Sequence, residues 1–306
     1  NNATVTVDGL NLTTQETGTY AGPDVNFGVR PANDSVDGTY YKGPGFHYLR
    51  NVEKDDNPSS IFSVDWKQVE DPRVHLRLTM LGELDSVALA IGEPPLNNAN
   101  NPRELKYMIA HRTAKDGKEL DSTFVSVIEP YKENRYIESI SPVTLRKDGV
   151  LVEGNDAKAV KVVLTNGRVD YIVYSLDKDA VYTVDDKFEF SGFFGVYSEA
   201  DGKQIVGYIN DGTTIGKQIK DAKARLTGTV TGFTETLEIN NEITVQMDTD
   251  DFNSKDLIGR YIYVENDGVR NAAYQIKGIK LKDRNKVVLD IGDATLIRKW
   301  ADPQDF

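Results

Sequence analysis

Eight Asp-Gly or Asn-Gly dipeptides punctuate this chain, at Asp8-Gly9, Asp37-Gly38, Asp116-Gly117, Asp148-Gly149, Asn166-Gly167, Asp201-Gly202, Asp211-Gly212 and Asp267-Gly268. Such pairs adopt positive φ at low cost, so each favours a tight hairpin. Between them the sequence alternates. In Arg73-Val74-His75-Leu76-Arg77-Leu78-Thr79-Met80-Leu81, the residues Val74, Leu76, Leu78 and Met80 share one face, and Arg73, His75, Arg77 and Thr79 share the other. That period of two predicts a half-buried antiparallel strand with its charged face toward solvent. Residues 108–113, 124–128, 159–164, 171–174 and 261–264 are further strand candidates, rich in β-branched and aromatic side chains. No long amphipathic helix is present. One helical turn is expected between Asn101 and His111, after Pro102.

Many short strands with regular turns predict an all-β fold. The expected architecture is a large antiparallel double sheet, a super-sandwich, over residues 1–200, followed by a smaller β unit over residues 201–306. The boundary is set near Glu199-Ala200-Asp201-Gly202, where polar residues follow the aromatic run 188–194. No fixed-period repeat is visible, which argues against a solenoid or propeller.

Composition narrows the function. The chain has no cysteine, which excludes disulfides, thiolate metal sites and a Cys nucleophile. Its net charge of −12 argues against a nucleic-acid partner, which needs a basic surface to neutralise phosphates. The same charge means that an anionic polysaccharide would have to meet a local basic patch. No run of about 18 apolar residues is available to span a membrane. The opening Asn1-Asn2-Ala3-Thr4-Val5 looks like the start of a strand, so a secretion signal would lie outside these residues.

The three histidines, His47, His75 and His111, are not at metal-ligand spacing. His75 and His111 are expected as solvated rim residues on strands. His47 lies in Tyr40-Tyr41-Lys42-Gly43-Pro44-Gly45-Phe46-His47-Tyr48-Leu49-Arg50, where Gly and Pro interrupt a dense set of rings and cations. Loops of this kind can line a sugar cleft, with rings stacking on sugars and cations pairing with carboxylates. The plainer alternative is a strand that enters the core on Phe46 and Tyr48. No nucleophile elbow, phosphate loop or zinc-protease signature is present. The stretch 248–256 carries calcium-friendly oxygens but lacks the glycine of an EF-hand loop, and a polar turn is expected there. Lys277, Lys280, Lys282, Arg284 and Lys286 form either a polyanion patch or a charged edge strand that resists aggregation.

Four segments together resemble the C-terminal β region of heparinase II/III-like polysaccharide lyases. They are 75–81, Ala90-Ile91-Gly92-Glu93-Pro94-Pro95, Leu105-Lys106-Tyr107 with His111-Arg112, and Ser122-Thr123-Phe124-Val125-Ser126-Val127-Ile128-Glu129-Pro130-Tyr131. The opening Thr4-Val5-Thr6-Val7-Asp8-Gly9-Leu10-Asn11 resembles the same family just after a metal-binding histidine. The resemblance covers roughly residues 1–200 and implies a β-sandwich that packs on an N-terminal (α/α) toroid. It also implies a secreted, periplasmic or cell-surface bacterial enzyme that cleaves uronate-containing polysaccharides by β-elimination. That reaction needs a neutralised carboxylate, a base for the C5 proton and an acid for the leaving oxygen.

The family's catalytic Tyr and His motifs would lie upstream of Asn1, and its next metal-binding histidine falls at Asn2, a poor zinc ligand. No cofactor is therefore expected within this chain, while zinc or calcium stays open for the parent protein. The implied partners are an anionic polysaccharide and the toroid. The candidate substrate-binding residues are Arg30, Tyr41 and Arg50, and the candidate catalytic residues are His47 and Tyr48. Two alternatives stay open: a stand-alone carbohydrate-binding or adhesion module, and a sandwich-type hydrolase with an Asp or Glu pair.

Overall fold

The fold comes from a computed structural model, which describes residues 3–28, 45–93, 102–220, 225–236, 239–265 and 271–294. It is all-β, built from antiparallel sheets. The chain divides into two compact units, Asn1–Ala222 and Lys223–Phe306.

The first unit begins with β1 (Ala3–Asp8), β2 (Thr13–Thr14), β3 (Leu49–Asp55), β4 (Ile61–Gln68), β5 (Val74–Leu81), β6 (Ser86–Gly92), β7 (Leu105–His111) and β8 (Val125–Lys132). They form two four-stranded sheets, in the orders β1-β4-β5-β8 and β2-β3-β6-β7. There follow β9 (Ile137–Pro142), β10 (Leu145–Lys147), β11 (Val150–Leu151), β12 (Ala157–Leu164), β13 (Val169–Ser175), β14 (Tyr182–Val184), β15 (Phe188–Ala200) and β16 (Lys203–Ile215). These make an eight-stranded sheet in the order β11-β10-β14-β15-β13-β12-β9, with β16 on the other side of β15.

The β1-β4-β5-β8 sheet is a middle layer. One face packs Phe62, Val64 and Met80 against Val87, Leu89 and Met108 of the β2-β3-β6-β7 sheet. The other face packs Leu81, Val125 and Val127 against Ile137, Val160 and Val162 of the large sheet. This layering corrects the expectation for β5. Thr79, on the face expected to meet solvent, is buried, while Val74 and Leu76 of the apolar face are exposed. Alternation tells which residues share a face, but each face here is covered over only part of its length.

In the large sheet, β15 pairs β14 through Phe188–Phe190 and β13 through Phe194–Glu199, with β16 along its opposite edge. The sheet closes on a core that includes Tyr171, Val173, Val184, Phe190 and Ile215. The boundary expected at residues 199–202 falls at the tip of the β15–β16 hairpin, where Ala200 pairs Lys203. Asp201 (φ 51°) and Gly202 (φ 71°) form that two-residue turn, and the division between compact units comes later, at Ala222/Lys223. The helical turn expected between Asn101 and His111 is absent among the described residues, where the strand β7 runs from Leu105.

The second unit holds β17 (Gly228–Phe233), β18 (Asn241–Met247), β19 (Tyr261–Val264), β20 (Ala272–Gln275), β21 (Gly278–Asp283) and β22 (Lys286–Gly292). A β17-β18-β22-β21 sheet and a β19-β20 ribbon share a core of Ile243, Val245, Tyr274, Ile276, Val287, Leu289 and Ile291. The acidic stretch before β19 is a polar turn: Asn253 caps a 3-10 helix (Ser254–Leu257) by accepting from the Lys255 N–H at 3.2 Å. β21 is an edge strand, as expected for the lysine-rich segment, and Lys280 and Lys282 are exposed on it.

Candidate functional site

The glycine-punctuated aromatic segment forms a 3-10 helix, Gly45–Tyr48, that runs straight into β3. The chain before it is bonded to the same spot. The Tyr20 N–H donates to the Leu49 carbonyl at 2.9 Å, and the Gly28 N–H donates to the His47 carbonyl at 3.1 Å. Gly18 makes the approach to Tyr20 feasible. Its φ is +75°, and a Cβ there would collide with the carbonyls of Gly22 and Pro23. Beneath this layer lie Val52, Ala88 and Ala90 of β3 and β6, with Tyr20, Leu49 and Ile109 packed on them.

The result is a surface of rings. Phe46 meets Tyr20 edge-on with centroids 5.0 Å apart, and Tyr48 meets Phe27 edge-on at 6.1 Å. Phe27, Phe46 and Tyr48 are all exposed, as are Leu105 and Tyr107 on β7. A Cβ on Gly92 would sit 2.6 Å from the Tyr107 ring, so glycine there lets that ring lie across β6. His47 touches Tyr48, with ring centroids 4.1 Å apart, but is only 7% exposed. The two candidate catalytic residues are therefore neighbours, and the face available to a ligand is Tyr48's. Edge-on ring pairs hold each other in place and leave outer faces free to stack.

Arg50 follows two residues after Tyr48, at the start of β3. Its Nε and Nη2 donate to Glu93 Oε1 at 3.2 and 3.1 Å, and Nη2 also donates to Glu104. The Glu104 bond, aided by Glu93, raises the pKa of the guanidinium. Arg30, Tyr41 and Asn2 lie outside the described residues.

A second polar arrangement escaped sequence reasoning. On the face of the middle sheet away from Phe62 and Val64, cross-strand pairing aligns Lys67, His75 and Tyr131 in one row and Asp65, Arg77 and Glu129 in the next. His75 Nδ1 lies 2.7 Å from Asp65 Oδ1, and His75 Nε2 lies 3.1 Å from the Pro72 carbonyl. Both ring nitrogens of His75 thus face an acceptor oxygen. The Tyr131 hydroxyl donates to Asp65 Oδ2 at 2.6 Å, and the Tyr131 ring stacks on His75 at 4.5 Å. Burial first, and then the bond to Asp65, push the phenol up to about 12. Glu129, 2% exposed, accepts from Arg135 Nε at 2.9 Å and from the backbone N–H groups of Tyr136 and Ile137. The alternation that puts His75 and Arg77 on one face of β5 was legible. The register that sets Asp65 beside His75 and Tyr131 was not.

Fold and surface together define an all-β, sandwich-like protein with an exposed aromatic platform on one sheet and a buried polar network on another. No protein-family model, curated protein sequence or solved structure matches the chain. Among the described residues no three His, Asp or Glu side chains converge to hold a metal ion, and no helix is long and apolar enough to cross a membrane.

Proposed function

We propose that this chain is the β-sheet portion of a heparinase II/III-like polysaccharide lyase that acts outside the cytoplasm, and that it forms one wall of a cleft for a uronate-containing polysaccharide. In this reading it packs on an N-terminal (α/α) toroid and does not cleave by itself. The observation that carries the reading is the exposed platform of Phe27, Phe46, Tyr48 and Tyr107. Flat rings present apolar faces that suit the C–H faces of sugars. The burial of His47 under Tyr48 fits a wall better than an active site.

A stand-alone carbohydrate-binding module is the second reading, because the platform is contained within this chain. Incubation with uronate polysaccharides separates catalysis from binding, with the absorbance of the new C4–C5 double bond as the readout. The expected result is no double-bond signal, with binding of oligosaccharides that Tyr48→Ala and Phe46→Ala weaken. Turnover by the chain alone would overturn the platform reading. Undiminished binding by both variants would remove the aromatic surface from it.

A further inference from the structure

The polar face of the middle sheet leaves one cation poorly matched. The Arg77 side chain is only 17% exposed, and its ion pair is a 3.6 Å contact to Asp8, a largely exposed carboxylate. Its Nε is buried and meets no acceptor. A guanidinium stays charged at any ordinary pH. Desolvating it without a set of acceptors is costly, and an orphaned donor of this kind calls for an explanation such as a bound ion.

The neighbouring carboxylates do not supply the missing acceptor. Asp65 directs one oxygen to His75 and the other to Tyr131. Glu129 directs its two oxygens to Arg135 and to the Tyr136 and Ile137 N–H groups. A second cation stands on the same face. Lys67 pairs with His75 and so lies diagonal to Arg77, a cross-strand neighbour roughly 7–8 Å away. Lys67 has no ion pair among the described residues. Thr4 and Thr6, exposed on β1, are the cross-strand neighbours of Lys67 and Asp65 and add two hydroxyls at the open edge.

We infer that Arg77 and Lys67 form an oxyanion-binding site, in which the planar fork of Arg77 and the ammonium of Lys67 grip a carboxylate or sulfate group against Thr4 and Thr6. The fork matches two oxygens of such a group, and the ammonium contributes a point charge. An arriving oxyanion displaces the weak contact from Asp8 and pairs with the Nη end of the Arg77 guanidinium. The site lies on a different sheet from the aromatic platform and does not depend on it.

The test is calorimetric titration of the full chain at constant ionic strength. The probes are sodium sulfate, an unsulfated uronate hexasaccharide, a sulfated neutral hexasaccharide and an uncharged hexasaccharide. The anionic probes are expected to bind, with Arg77→Gln weakening them at least about tenfold, the loss of a charge-assisted contact. Lys67→Gln is expected to weaken them several-fold, and Arg146→Gln, a remote exposed arginine, to leave them unchanged.

Weakening of sulfate itself assigns the site to a free oxyanion, and weakening of the hexasaccharides alone assigns it to a group carried on a sugar chain. Either result supports the site. It is overturned if no anionic probe binds, or if both variants bind as the parent does. Lys67 is only partly buried, so its variant keeps the test decisive if Arg77→Gln folds poorly. Tyr48→Ala separates the two surfaces, because it is expected to weaken the uncharged hexasaccharide and leave sulfate untouched.

Discussion

At the scale of single residues, the Asp65–His75–Tyr131 network makes the sharpest demand. Tyr131→Phe removes the donor to a buried carboxylate oxygen and is expected to cost about 1–3 kcal/mol, read as a lower urea midpoint. The network also predicts an alkaline limit. The Tyr131 phenol is held at about 12 in the fold. An unfolded phenol titrates near about 10. The folded state therefore keeps its proton longer, and this stabilisation is full below about pH 10 and lost as pH rises toward about 12. Tyr20, Tyr171 and Tyr197 are raised as well, chiefly by burial, and deepen the same loss. Following phenolate absorbance and circular dichroism together should show ionisation and unfolding coinciding in that window. A Tyr131→Phe profile identical to the parent's would contradict the assignment. Sequence showed the polar residues of this face and not their burial, because alternation assigns neighbours to faces without saying what covers them. His47 was legible as part of an aromatic turn for the same local reason, and its burial beneath Tyr48 was not.

At the scale of elements, the segments 73–81, 124–128, 159–164 and 171–174 fall on β5, β8, β12 and β13, because local alternation and turn chemistry fix such strands, while most of the other strands were not read from the sequence. Tyr261–Val264 is β19 as expected, and Asp148-Gly149 and Asp201-Gly202 are two-residue hairpin turns with both φ values positive. Asp211-Gly212 is the instructive failure. It lies inside β16, where Gly192 pairs Gly212 and Ser191 pairs Thr214, so Thr213 bulges out. Asp211 takes φ 44° there, so the dipeptide bends a continuous strand instead of ending it. Gly192 and Gly212 face each other across the hairpin. A Cβ on Gly212 would lie 2.5 Å from both the Gly192 Cα and the Ser191 carbonyl, which are backbone atoms that cannot swing aside. Gly212→Ala is therefore expected to destabilise by about 1–3 kcal/mol in urea unfolding. Gly232→Ala serves as the control, because its new methyl meets only the Thr244 side chain, at 3.7 Å or beyond. Equal effects of the two substitutions would refute the close approach.

At the scale of the whole molecule, each compact unit encloses its own apolar core. One is gathered around Tyr171, Phe190 and Ile215 and the other around Ile243, Val287 and Ile291. Separate cores predict separate cooperative transitions on heating. Leu145→Ala and Ile243→Ala each delete a side chain at most 3% exposed, and each is expected to cost about 2–5 kcal/mol. The readout differs with size. The unit Lys223–Phe306 is the smaller, so a given loss moves its midpoint further, by roughly 4–8 °C per kcal/mol against 2–4 °C for a unit the size of Asn1–Ala222. Ile243→Ala should thus lower one calorimetric peak by at least about 8 °C and leave the other in place, while Leu145→Ala should shift only its own peak, and by less per kcal/mol. If either substitution moved a single shared peak, the two cores would be one cooperative system. An oxyanion bound at Arg77 provides an independent marker, because it should raise only the transition that Leu145→Ala lowers.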